Sequence, residues 1–228
     1  MKTTMFRVLS LAMAIFCMVN VHAQDAKAVS IIPQPQKLEA KGGEYLLPEK
    51  VVIGYDASLK SQAEYLQELL ARSTGRVAEL KEGKSKGSIV LQKDTIAVPV
   101  AEAYTLSVTP KCARIVASDA SGVFYGIQTL LQLFPAEVYN ASWQRNTIWK
   151  APCVEIYDAP ERPWRGLMVD VARYFYDKEF IKKTIDMMGM YKLNKLDEAK
   201  KYWQKAIDID NEGLNIDNLK HKLKNGIE

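Results

Sequence analysis

The residues best placed to do chemistry fall in one stretch, Arg165-Gly166-Leu167-Met168-Val169-Asp170-Val171-Ala172-Arg173-Tyr174-Phe175-Tyr176. Residues 167–171 form a short apolar run that reads as a buried strand, with Asp170 and Arg173 at its far end and aromatics behind them. From Asp177, a fair N-cap, the pattern turns helical: Phe180, Ile181, Ile185, Met188 and Tyr191 share one face. Strand, polar-aromatic loop and helix together make the opening unit of a parallel α/β barrel or sheet. In such folds ligands are met at the carboxyl ends of the strands, which is where Asp170 and Arg173 would stand. Arg165 and Asp170 are read as partners that neutralise each other in or beside that strand, because buried charges are normally paired. A second acidic feature, Asp197-Glu198, opens an amphipathic helical stretch, where acids favour the helix dipole, and is read as a helix start.

Other chemistries are excluded by what the chain lacks. Of two histidines, His22 lies near the N-terminus and His221 in a charged tail, so no metal-ligand spacing exists and no cofactor is expected. Basic residues are dispersed, with no aromatic-interleaved basic stripe, which excludes a nucleic-acid partner. A hydrophobic fraction of 48% and a charged fraction of 25% are those of an ordinary globular protein.

The elements that must position these residues come earlier. Residues 1–23 read as a cleaved signal peptide: Lys2 and Arg7 start it, an apolar run follows, and Val21-His22-Ala23 offers a small-residue cut site before Gln24. This implies a secreted or periplasmic protein with no membrane span after cleavage, and Lys2 and Arg7 leave the formal charge of +4 when it is removed. Cys112 and Cys153 remain, compatible with a bridge or with two buried thiols. Residues 30–36 are a proline-punctuated extended segment, and Gly42-Gly43 is read as a turn. Strands are expected at 51–55, 88–92, 104–108 and 113–117, the last two as a hairpin through Lys111, with another from Cys153. One helix is expected over 61–71, with Gly75 as its stop. A second is capped by Ser118 and Asp119, lined by Val123, Ile127, Leu130, Leu131 and Phe134, and ended by Pro135. Gly122 and Gly126, one turn apart, let that helix lie close against a sheet. Residues 24–155 are therefore expected to form an α+β domain, a mostly antiparallel sheet with two helices on one face, before a proline-bearing crossing.

Four stretches together resemble the β-N-acetylhexosaminidases of glycoside hydrolase family 20. They are Ile32-Pro33-Gln34-Pro35, the Ser118 to Leu130 helix, Asp158-Ala159-Pro160, and Trp164 to Arg173. The resemblance covers about residues 30–194 and implies an α+β accessory domain followed by the start of a (β/α)8 catalytic barrel over 156–194. It implies hydrolysis of terminal N-acetylhexosamine from glycans, in which the substrate's acetamido oxygen attacks the anomeric carbon. An enzyme Glu protonates the leaving oxygen and a neighbouring Asp orients the acetamido group. By residue match Arg173 is the substrate-binding arginine, whose planar fork suits two adjacent hydroxyls; Tyr174 departs from the His usual beside it.

The catalytic Asp-Glu pair of such a barrel has no match here. A barrel needs about 250 residues, and after Asn194 the sequence turns to an amphipathic helix, with Ala199, Tyr202, Ala206 and Ile207 resembling the second helix of a tetratricopeptide repeat. Residues 195–228 are read as a helical tail, unrelated to what precedes it and available to a protein partner. The expectation is a truncated barrel, inactive alone, with 24–160 folded and 165–228 poorly packed. The non-enzymatic alternative is a carbohydrate-binding or interaction module in which Trp143 and Trp149 serve as an aromatic platform.

Overall fold

The computed structural model describes residues 29–83, 87–169 and 176–194. The expected signal peptide, the helical tail, Asp170 and Arg173 lie outside the described residues. Seven strands, β1 (Lys37–Leu46), β2 (Val52–Tyr55), β3 (Glu79–Glu82), β4 (Ile89–Lys93), β5 (Tyr104–Val108), β6 (Ala113–Ala117) and β7 (Lys150–Asp158), form one sheet in the order β1-β7-β5-β6-β4-β2-β3. Three α-helices accompany it among the described residues: α1 (Lys60–Thr74), α2 (Ala120–Leu133) and α3 (Lys178–Met190).

The expectation of a mostly antiparallel sheet is corrected. Pairings β1/β7, β5/β7 and β5/β6 are antiparallel, whereas β2/β3, β2/β4 and β4/β6 are parallel. The cause lies in the connections: α1 carries the chain back between β2 and β3, and a crossover of that kind returns a strand in the same direction. Both edge strands were illegible from alternation. β1 carries Gly42 and Gly43 inside it, and they make a register shift between Ala40 and Glu44 instead of the expected turn. β3 reads Glu-Leu-Lys-Glu, a charged edge of the kind that discourages pairing with a further chain.

The core lies between sheet and helices. Along β5 the residues Tyr104, Leu106 and Val108 are buried, and along β6 Ala113, Ile115 and Ala117, in strict alternation with half-exposed neighbours. The helix face expected from Val123, Ile127, Leu130 and Leu131 packs there, and α1 lies beside α2 over β2 and β3. Asp119 begins α2, its Oδ1 accepting from Gly122 N at 2.8 Å, and Gly75 ends α1 in left-handed backbone. The glycine pair has the expected role. A Cβ on Gly122 would stand 2.5 Å from Ala103 O, and one on Gly126 2.6 Å from Ile115 Cγ2.

Candidate functional site

A cleft of about 570 Å³ lies where the end of the sheet meets α3, lined among others by Pro33, Pro35, Glu102, Tyr104, Tyr125, Asp158, Arg165, Tyr191 and Lys192. Local sequence positions each wall. Gln132 holds the proline segment by accepting from Ile32 N and donating to Ile32 O, each at 2.8 Å. Gln36 Nε2 donates to Ala159 O at 2.8 Å, tying that segment to the crossing after β7. Asp177 caps α3 as expected, accepting from Phe180 N at 2.7 Å, and α3 buries Thr184, Met188 and Gly189.

Residues 191–194 end α3 in a helix stop. Leu193 N donates to Met188 O at 2.9 Å and Lys192 N to Gly189 O at 3.0 Å, the paired bonds of a Schellman motif. Lys192 takes the left-handed place (φ 59°) that usually holds glycine, at a cost of roughly 1–2 kcal/mol. Its side chain is only 8% exposed; Nζ lies 2.8 Å from Asp158 Oδ2 and donates to Tyr104 OH at 2.8 Å. Tyr104 OH in turn meets Thr129 Oγ1 at 2.6 Å. Burial lowers the Lys192 pKa, with Asp158 opposing, and burial followed by the Asp158 charge drives that of Tyr104 well above the phenol range.

A second cluster stands alongside. Arg165 Nη2 pairs with Glu102 Oε2 at 2.6 Å, Nε donates to Lys192 O at 2.9 Å and Nη1 to Arg162 O at 2.7 Å. Asn194 closes it: its Nδ2 donates to Glu102 Oε1 at 3.2 Å and to Pro163 O at 2.6 Å, while its Oδ1 accepts from Arg165 N at 2.9 Å. The guanidinium also lies 5.5 Å from the Tyr125 ring centroid, and Tyr125, desolvated, has a pKa pushed up to about 12. Arg165 is thus paired with Glu102; Asp170, the partner expected from the sequence, lies outside the described residues. Residues 167–169 carry no strand, and residues 170 and 171 of the expected strand lie outside the described residues. The described part of 165–194 is held to the domain by these hydrogen bonds and by the buried side of α3, while Leu167, Met168, Phe180, Met187 and Tyr191 stand exposed, in line with the expected poor packing.

No described buried side-chain nitrogen or oxygen lacks a hydrogen-bond partner, and no group of metal-binding residues exists among the described residues. Asp158 and Glu102 are each committed to a cation, so the described site is built to hold two pieces of chain together rather than to transfer protons. Of the expected aromatic platform Trp149 is corrected, being buried at 4% exposure, whereas Trp143 stands 54% exposed, one edge against Gly75 and Arg145 Cζ 4.6 Å from its ring centroid. Cys112 and Cys153 are both free. Val108 of β5 pairs with Ala113 on one side and Val154 on the other, so the two cysteines flank β5 about 10 Å apart, beyond disulfide reach. Sequence reading missed Glu102 and Lys192; a lysine just past a helix end, where glycine is favoured, was the available signal.

The mixed sheet with helices on one face, fastened by paired charges to the opening of a second unit, defines an accessory domain joined to the start of another domain. The comparisons identify both. The family model "Glycosyl hydrolase family 20, domain 2" matches residues 28–159, and "Glycosyl hydrolase family 20, catalytic domain" matches residues 163–198, running past Asn194. The chain belongs to glycosyl hydrolase family 20. It is 36% identical over 172 residues to a beta-hexosaminidase of Porphyromonas gingivalis, covering 74% of this chain and 22% of the relative. It is 38% identical over 118 residues to one of Akkermansia muciniphila, covering 52% of this chain and 22% of the relative. A mutant Streptomyces plicatus beta-hexosaminidase, solved in complex with the product GlcNAc, superposes with a TM-score of 0.66 at 32% identity, covering 72% of this chain and 33% of that one. The chain thus spans about a fifth of the length of the two curated relatives.

Proposed function

We propose that this chain supplies the accessory domain and the opening of the catalytic domain of a β-N-acetylhexosaminidase that removes terminal N-acetylhexosamine from glycans by the substrate-assisted retaining route. The observation that carries this reading is the unbroken succession of two matches of one family, domain 2 over 28–159 and catalytic domain over 163–198. Residues 24–155 form the accessory domain and 156–194 the link and first unit of the barrel; Arg173 grips hydroxyls of the terminal sugar. Residues 1–23 direct export, and 195–228 form a helical tail open to a protein partner.

Only the opening of the catalytic domain is matched, over residues 163–198, so by itself the 228-residue chain does not hydrolyse. The test is chromophore release from an aryl N-acetylglucosaminide by the purified 228-residue chain. No release above buffer is expected. Release that disappears in Arg173→Ala would overturn the inactivity.

A further inference from the structure

Among the described residues two non-glycines have left-handed backbone, Glu102 (φ 61°) and Lys192 (φ 59°). They lie in different family segments, Glu102 in the domain 2 match and Lys192 in the catalytic-domain match. Each also carries one half of an ion pair that crosses the junction: Glu102 with Arg165 at 2.6 Å, Lys192 with Asp158 at 2.8 Å. Strained backbone persists where its surroundings over-determine it, and here both strained residues are spent on the same junction.

We propose that Lys192 is a positioning residue which clasps α3 of the catalytic-domain segment onto the accessory domain, with Glu102, Arg165 and Asn194 as a second strut. The inference rests on the segment assignment alone and is independent of whether any hydrolysis occurs.

The helix stop itself does not require lysine. Its hydrogen bonds are complete with any residue at position 192, and glycine would adopt the left-handed conformation without steric cost. Lysine is explained only by what its ammonium reaches: Asp158 at the end of β7 and Tyr104 at the start of β5, both on the accessory domain. The site is nearly dry, with the Asp158 side chain 14% exposed, so the pair is little screened by solvent. The second strut locks the direction of α3: Asn194, just past the stop, bonds Glu102 and the Arg165 backbone together. Two struts at separate points fix an angle, where one would leave a pivot. The accessory domain thereby sets the direction in which the catalytic-domain segment leaves it.

A plain helix stop and a clasp make opposite predictions for Lys192→Gly. As a stop alone, glycine relieves strain and steadies α3; as a clasp, glycine removes the ammonium and frees it. The experiment is amide hydrogen exchange on the 228-residue chain, comparing residues 178–190 with β5 and β6 as an internal control. Lys192→Gly and Lys192→Met are each expected to speed exchange in α3 by at least about tenfold while β5 and β6 keep their protection. Glu102→Gly, which also relieves strain, is expected to act in the same direction. Unchanged or slower α3 exchange in Lys192→Gly would overturn the clasp. So would equal loss of protection in β5 and β6, because Lys192 would then support the core and not the junction.

Discussion

The contact between α2 and the sheet offers the most direct perturbation. In Gly126→Ala the new Cβ would stand 2.6 Å from Ile115 Cγ2 and 3.2 Å from Tyr104 Cδ2. Carbon atoms rest at about 3.5–4.0 Å, so the helix or Ile115 must retreat by close to 1 Å. Ile115 is fully buried, which leaves it nowhere to go. Overpacking of this size costs about 1–3 kcal/mol. Alanine recovers up to about 1 kcal/mol of helix propensity. The net loss is then about 1–2 kcal/mol, or a fall in Tm of about 2–8 °C for a domain of this size. Thermal melts followed by circular dichroism measure it. A Tm equal to or above that of the parent would refute the reasoning, since propensity would then outweigh contact. The cause is checked by pairing the change with Ile115→Ala, which removes the opposing methyl. The two losses should sum to more than the double mutant shows, and simple additivity would mean that Ile115 is not the obstacle.

Two further outcomes are expected. Asp119→Ala removes the acceptor for Gly122 N and also for Glu102 N, each held at 2.8 Å, and should lower stability by about 1–2 kcal/mol in a denaturant titration. The third concerns alkali. Tyr45 and Tyr125 have pKa values raised to about 12 by burial, and a phenol kept neutral in the fold but free to ionise once unfolded binds more protons in the native state. Their contribution is therefore complete below about pH 10 and is lost as pH rises from there toward 12. Lys192 acts in the opposite sense. Burial lowers its pKa against the opposing pull of Asp158, so the cost of desolvating its ammonium eases as pH climbs toward the free-lysine value. Tm should fall above pH 10 together with the appearance of tyrosinate absorbance; a flat Tm to pH 12 would contradict the burial argument.

What could be read from the sequence follows from the range of the forces involved. Alternation in residues 104–108 and 113–117 gave the central strands and their hairpin, and helical spacing gave α1, α2 and α3, because each pattern repeats within a few residues. The edge strands escaped, since an edge faces water and need not alternate: β1 and β3 are dominated by charge and glycine. Strand direction escaped too, for it depends on where α1 returns the chain and not on any residue within a strand. Family motifs located the boundary near Pro160 and the candidate Arg173, which lies outside the described residues.

The junction shows why pairing of charges is hard to derive locally. Arg165 was matched with the acid five residues on, the one within reach of a short strand. The partner found among the described residues is Glu102, 63 positions away, and Lys192 reaches Tyr104 across 88. Such pairs carry no periodic signal, because nothing repeats. What they leave in the sequence is an inconsistency: a lysine where chain geometry favours glycine. Taken locally, Lys192 is a poor helix stop; taken with Asp158 and Tyr104, it is the point at which a strained backbone and a nearly dry charge offset each other. The same satisfaction of charge bears on function. With Asp158 held by Lys192 and Glu102 by Arg165, neither acid is free to act as a general acid or to orient an acetamido group.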